Sequence, residues 1–297
     1  MNRPDAGHVA PPSPPRRLLA AAHRAMSARL DHRPTGRLRV GIDLGTAYVV
    51  VMVTDEDGHP LVGVSRAASV VRDGVVVDFA GAVGLVRELV TEVEDRLGVG
   101  LETAATTFPP GVPVSEVRAT RYVVEAAGLE CTGLVDEPTA ANAVLSLRDG
   151  AVVDIGGGTT GIAVLRDGAV IHVGDEATGG THVTLVIAGA LGLSFEDAEV
   201  HKLDHRAQRE LLPVVRPVFD KIATIIARHI DPHRVETVHL VGGTSAFPGI
   251  VDVVAAGIER EVHLPPHPLL VTPLGVALHD VGDQARWSLG NSEVHDG

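Results

Sequence analysis

The stretch Asp154-Ile155-Gly156-Gly157-Gly158-Thr159-Thr160-Gly161 decides how the rest of the chain is read. Ahead of it Ala151-Val152-Val153 is apolar and β-branched and predicts a buried strand. Behind it Gly161 to Leu165 predicts a second strand, and Asp167-Gly168 a hairpin into Ala169 to Val173. A carboxylate therefore stands at a strand end, followed by three glycines in a turn. Glycines let a backbone approach a ligand closely and aim its N–H groups at one point, which suits a phosphate chain. A neighbouring carboxylate suits Mg²⁺, which is held by one or two carboxylates plus waters and phosphates. No Gly-Lys-Ser/Thr follows, so this is not a Walker loop. An ordinary glycine-rich hairpin turn is the alternative for the motif alone.

The device occurs twice. Arg39-Val40-Gly41-Ile42-Asp43-Leu44-Gly45-Thr46 again reads strand, Asp, Gly, Thr. Val49 to Val53, the Asp57-Gly58 turn and Leu61 to Val64 complete a second copy, 111 residues upstream of the first. Duplication of a β-unit carrying an Asp and a Gly-rich turn predicts two lobes gripping one nucleotide.

The 297 residues have room for two such lobes. A formal charge of −13 with no basic stripe in the folded part argues against nucleic acid as the main partner. The single cysteine, Cys131, excludes an internal disulfide, fits a reducing compartment and reads as a small core residue. No apolar run approaches the roughly 20 residues of a membrane helix, and no secretory signal is legible. Lysine is confined to Lys202 and Lys221. His201 and His205 are four apart on an expected helix, but no third metal ligand is indicated.

Four regions are expected. Residues 1–36, with six arginines, two aspartates and a proline-rich start, read as a disordered or docking extension. Residues 37–147 form the first lobe, joined by a return helix within 268–280. Residues 148–267 form the second lobe, and 281–297 a disordered tail. In the first lobe Leu134 to Glu137 ends a strand, and Pro138 stands in the first turn of a helix. Glu137 is thus held at a strand-to-helix corner, pointing to a cleft, unless it is only an acid favoured by the helix dipole. In the second lobe Val238 to Val241 is a strand leading into Gly242-Gly243-Thr244, a backbone on which a flat base or ribose can lie.

Five segments in order resemble the actin, DnaK-type chaperone and sugar-kinase ATPases. Asp43 to Thr46 and Asp154 to Gly161 are similar to the two phosphate segments. Asp136 to Ala141 and Pro273 to Ala277 are similar to the connecting segments, and Val241 to Gly249 to the adenosine segment. Ala198-Glu199-Val200-His201-Lys202 resembles the Ala-Glu-x-x-Lys element of bacterial actin-like members. Within the superfamily, residues 38 to 280 resemble the ethanolamine-utilisation EutJ family. That resemblance rests on Thr106 to Gly111, Asp175 to Gly180, Ala227 to Ile230 and Val262 to Pro265.

The resemblance implies an α/β, two-lobed actin-like ATPase fold of duplicated ribonuclease-H-like domains, with reduced insertions. It implies ATP and Mg²⁺ as cofactors. Asp43 and Asp154 are expected to hold the metal through water. Backbone groups at Gly45, Thr46, Gly156, Gly157, Gly158 and Thr159 are expected on the phosphates. Glu137 is expected to orient the attacking water, and Glu199, Lys202, Gly242, Gly243 and Thr244 to hold the nucleoside. DnaK-type chaperones use a lysine from an insertion in the first lobe; that insertion is nearly absent, and residues 37–147 contain no lysine. Slow hydrolysis or binding without turnover follows from that departure. The implied partners are ATP or ADP and protein clients, ethanolamine ammonia-lyase or other microcompartment enzymes. The implied location is cytoplasmic, with association to the microcompartment. A scaffold without turnover and a small-molecule kinase of the same fold are the alternatives to a chaperone or assembly factor.

Overall fold

In the computed structural model, residues 14–72, 74–110 and 114–281 are described. Residues 1–13, Asp73, residues 111–113 and the expected tail from 282 onward lie outside them.

The first sheet is built from β1 (Arg39–Leu44), β2 (Tyr48–Thr54), β3 (Pro60–Ala67), β6 (Thr103–Phe108) and β7 (Glu130–Asp136) in the order β3-β2-β1-β6-β7. The second is built from β8 (Gly150–Ile155), β9 (Thr160–Arg166), β10 (Ala169–Glu176), β11 (Thr237–Val241) and β12 (Glu261–His263) in the order β10-β9-β8-β11-β12. The two orders superimpose strand for strand: an antiparallel meander of three, then two parallel strands on the side of the first. The duplication read from the two Asp-Gly-Thr stretches is therefore a duplication of the whole sheet. Between β3 and the next helix stands only the short ribbon of β4 (Val71–Arg72) and β5 (Val75–Val76), so the first-lobe insertion is small.

Helices α2 (Phe79–Leu97) and α3 (Val114–Ala127) cover the outer face of the first sheet. Val86, Leu89, Val90 and Val93 of α2 pack on Val40, Ile42, Val51 and Val62. Their apolar stripe at helical spacing is what makes this segment a helix and sets which face it buries. Asp78 caps its start by accepting from the Gly81 N–H, and Gly98 at φ +72° ends it. The second sheet is covered likewise by α5 (Gly180–Leu191), α6 (Phe195–Leu203), α7 (Gln208–Ile230) and α8 (Ile250–Ile258), with Phe219, Ile222 and Ile226 fully buried. The 23-residue α7 runs on through Pro213 and Pro217.

Two helices join the sheets. α4 (Glu137–Leu145) leaves β7 for β8, and α9 (Val271–Leu278) returns to lie on β1. Their crossings are close enough to exclude any side chain. A Cβ on Gly275 would overlap the Ala140 carbonyl, and one on Gly41 would overlap the backbone of α9. The end of α9 is clamped at Asp280, which accepts from the Val40 N–H at 2.9 Å, Thr103 Oγ1 at 3.1 Å and Thr132 Oγ1 at 2.5 Å.

The N-terminal extension differs from its expectation. Residues Pro14–Ala25 form α1, whose Leu19, Ala22 and Ala25 are buried against Met52 of β2, Ala141, Val144 and Leu145 of α4, and Leu270 and Leu274. It also stacks His23 on His267 with ring centroids 3.9 Å apart. The proline and arginine content of residues 1–36 suggested disorder, but Leu19, Ala22 and Met26 form a stripe that meets an apolar hollow at the junction of both sheets. The described part of the extension is a packed element rather than a free docking helix.

Candidate functional site

Asp43 is the last residue but one of β1 and Asp154 the last but one of β8, equivalent positions in the two sheets. Parallel neighbours aim both strand ends, with that of β7, into one crevice, the usual place for ligands in such sheets. Asp43 accepts from Thr107 Oγ1 at 3.0 Å, and Asp154 Oδ2 from Thr272 Oγ1 at 2.5 Å. Glu137 follows β7 directly and opens α4, with Asp136 as its N-cap accepting from the Thr139 N–H at 3.0 Å. The corner expected at Glu137 and Pro138 is thus present.

These carboxylates feel one another. Burial, then the Asp154 charge, pushes Asp43 up to about 7, against the opposing Thr107 hydrogen bond. Burial pushes Asp154 up to about 6, opposed by the Thr272 hydroxyl. Glu137 is raised well above the ordinary glutamate range, first by burial and then by Asp154, Asp43, Asp175 and Asp136. Several carboxylates crowded into a low-dielectric crevice cannot all ionise without a cation.

The two glycine turns meet. A Cβ on Gly157 would lie 2.7 Å from the Ala47 Cβ, so the turn after Asp154 touches the turn after Asp43 across the cleft. Gly45 is similarly tight, a Cβ there lying 2.8 Å from the Tyr48 carbonyl. The second turn is rigidly held. Gly156 donates its N–H to the Thr159 carbonyl at 3.0 Å, and its own carbonyl accepts from Gly180 N–H at 2.9 Å and Thr244 Oγ1 at 2.8 Å. The Gly157 carbonyl accepts from the Thr181 N–H at 2.7 Å. Gly158 and Thr159 complete the turn beside them. Gly242, at φ +87°, passes so close to Asp154 Oδ1 that any side chain would overlap it, which only glycine allows.

Lys202 and Glu199 sit on α6 beside this turn. Lys202 Nζ contacts Glu199 Oε2 at 2.7 Å and donates to Thr184 Oγ1 at 2.8 Å and the Gly180 carbonyl at 3.3 Å. Thr184 also donates to Glu199. The pair is thus locked to the start of α5, next to Thr244 and Gly243. Across the cleft, the Glu199 charge adds to burial in raising the Tyr48 hydroxyl. Asp43, Asp154 and Glu137 lie close enough to raise one another's pKa, and the Gly156 turn, Thr244 and Lys202 are joined by hydrogen bonds through Gly180, whereas Cys131 is buried in the first-sheet core. Thr107, Thr272, Ala47 and Asp175 were not foreseen. Asp175 could have been: it stands opposite Gly161 in the β9–β10 pairing, so the hairpin register places it at the turn.

The donor set suits a hard cation. Among the described residues, the only three carboxylate or imidazole side chains with ligand atoms within 4.8 Å of each other are Asp55, Asp57 and His59, elsewhere on the surface. The ligand atoms of Asp43, Asp154 and Glu137 do not all lie within that distance of one another, so an ion shared by the three would need waters to complete its shell. His201 and His205 do not share a helix as expected: His201 is in the last turn of α6, while His205 lies beyond its end with Nδ1 3.1 Å from Gln208 Oε1.

Over 241 residues, covering 81% of this chain and 85% of the relative, the sequence is 45% identical to ethanolamine utilization protein EutJ of Escherichia coli (strain K12). The chain belongs to the EutJ family. A crystal structure of the EutJ protein from Carboxydothermus hydrogenoformans agrees with this family member at TM-score 0.84 and 45% identity, over 89% of this chain and 98% of that one. The family model for type IV pilus assembly protein PilM matches residues 122–265. MreB5 of Spiroplasma citri bound to AMPPNP shares the fold at TM-score 0.65 and 17% identity, over 82% of this chain and 95% of that one. The fold is that of the actin-like ATPases. Among the described residues no helix is long and apolar enough to cross a membrane.

Proposed function

We propose that this EutJ family member binds Mg-ATP between its lobes and acts as a nucleotide-dependent chaperone or assembly factor for microcompartment enzymes, ethanolamine ammonia-lyase among them. The observation that supports it most directly is the meeting of the Gly157 and Ala47 turns beside Asp43, Asp154 and Glu137. Asp43 and Asp154 would hold Mg²⁺, and the bound ion would supply charge neutralisation on the phosphates. Gly45, Thr46 and the turn amides from Gly157 to Thr159 take the phosphate oxygens, because the Gly156 N–H is already used inside the turn. Gly242, Gly243, Thr244, Glu199 and Lys202 line the nucleoside end. The family relationship supports a place in ethanolamine utilisation, in the cytoplasm and in association with the microcompartment.

In this reading Glu137, at the start of α4 beside Asp43 and Asp154, orients the attacking water. Burial and the Asp154 and Asp43 charges favour the protonated form of Glu137, and a cation that neutralised those two carboxylates would oppose that shift. In-line attack on a γ-phosphate asks mainly for positioning and charge stabilisation. No lysine is available from residues 37–147, and Lys202 is bound to Glu199 and α5, so turnover is slow. That same pairing favours, as a second reading, a nucleotide-binding scaffold without significant hydrolysis.

Single-turnover phosphate release and ATP affinity, measured side by side, test both readings. Glu137→Ala should keep ATP affinity and lose about 10²–10⁴-fold in rate. Asp154→Ala should lose Mg-ATP itself. Absence of phosphate release by wild type despite binding selects the scaffold, and absence of binding rejects both.

A further inference from the structure

Far from the cleft, three histidines meet where the edge strand β10 crosses the end of α7. His172 lies on β10, His229 in the last turn of α7, and His233 four residues later in the 3-10 turn Asp231–His233. His172 Nε2 is 2.9 Å from His229 Nδ1, and the His233 ring stacks on His172 with centroids 4.8 Å apart. We propose that His172, His229 and His233 form a binding site for one divalent metal ion of the zinc class, fastening β10 to the end of α7.

Neutral imidazole is the commonest protein ligand for such ions. Two histidines four apart at a helix end, with a third from an adjacent strand, make a three-nitrogen set with a fourth position left to water. Burial, then the neighbouring His233 and His229 rings, holds His172 below its ordinary value. A metal ion takes the place of the single proton that the His172–His229 pair can share.

The surroundings are built for the ring of His229. Gly174 on β10 leaves the slot it occupies, and a Cβ there would overlap the ring. With Nδ1 turned to His172, the buried Nε2 has no hydrogen-bond partner among the described residues; Glu176 Oε1 stands 3.6 Å from it. That order, carboxylate then histidine then metal, is how ligating imidazoles are usually oriented. Arg228 holds Glu176 at 3.3 Å, and Arg166 donates to the His233 carbonyl at 2.6 Å. Binding requires the His172–His229 nitrogens to open to about 3.4 Å, as tetrahedral ligation at about 2.0–2.1 Å demands. It also requires the His233 ring to turn from stacking to ligation. The Asp55, Asp57 and His59 group is the rival site. It sits in an exposed turn, and Asp55 Oδ1 is already spent on the N–H groups of Asp57 and His59.

The test uses the untagged full chain, stripped with a chelator and titrated with Zn²⁺ and separately with Co²⁺. The proposal expects one equivalent of Zn²⁺, a raised melting temperature, and a visible Co²⁺ spectrum of four-coordinate type. Affinity should fall at least tenfold in His172→Gln and in His233→Gln, and stay unchanged in His59→Gln. Gly174→Ala, which crowds His229 without removing a ligand, should weaken binding as well, and it serves if a histidine variant fails to fold. No bound Zn²⁺, binding indifferent to His172 and His233, or binding lost in His59→Gln overturns the site.

Discussion

Thr272 donates its hydroxyl to Asp154 Oδ2 at 2.5 Å across 118 residues of sequence. The start of the return helix α9 is thereby bonded to the carboxylate of the second glycine turn. That same helix lies on β1, so one hydroxyl links the second glycine turn to an element packed on the first sheet.

Thr272→Val keeps the shape and removes the donor. Asp154 then loses the bond that opposes its raised pKa, so less of it is ionised at pH 7. Calorimetry should show weaker Mg-ATP binding at pH 7, with the defect shrinking at pH 8.5. Chemical denaturation should show a loss of about 1–3 kcal/mol from the acceptor left without its donor. A binding defect that does not depend on pH contradicts this account.

Asp43 has a folded pKa of about 7 against 3.8 for the free residue. The folded state then holds more protons than the unfolded one between about pH 4 and pH 7. Its contribution is full below pH 4 and lost as pH rises through 7. Asp43→Asn, without nucleotide, should therefore melt a few degrees above wild type at pH 8, with the gap closing toward pH 5. The comparison with wild type isolates this effect, because His239, held down to about 4, acts in the opposite sense between pH 4 and 6.5. Scanning calorimetry across pH decides it, and the same variant should lose Mg-ATP binding.

Leu19→Ala opens a cavity under α1, where the leucine is fully buried. The expected cost is about 2–5 kcal/mol, read by urea unfolding. A loss below about 0.5 kcal/mol means that α1 does not pack where the structure puts it.

Gly157→Val puts a branched side chain where even a Cβ would lie 2.7 Å from the Ala47 Cβ. The two turns must separate, so ATP affinity should fall at least tenfold while the melting temperature changes little, since both turns are at the cleft. Unchanged affinity would place the nucleotide somewhere else.

The sheets were legible because each strand at the cleft carries its own local signal: β-branched runs, an Asp at the strand end, and glycines in the turn. Asp43, Asp154, Glu137 and the glycines could be named for that reason. Thr107 and Thr272 could not, since a hydroxyl's role depends on which distant carboxylate the fold brings to it. α1 was misread because composition reports average polarity, and three buried positions, Leu19, Ala22 and Ala25, suffice to dock a helix. The histidine cluster was not legible because His172 reaches His229 across 57 residues of sequence, and nothing beside His229 and His233, four apart, points to it.

The close packing of α9 has a consequence for synthesis. The inner face of the first sheet is covered by a helix encoded at 271–278, and the Val40 N–H waits for Asp280. A chain emerging from the ribosome therefore shows Gly41 and its neighbours to solvent until nearly all the described residues have been made. The first lobe begins first and is finished last. Its uncovered face, rather than the second lobe, is where a nascent or truncated chain is most exposed to unwanted association.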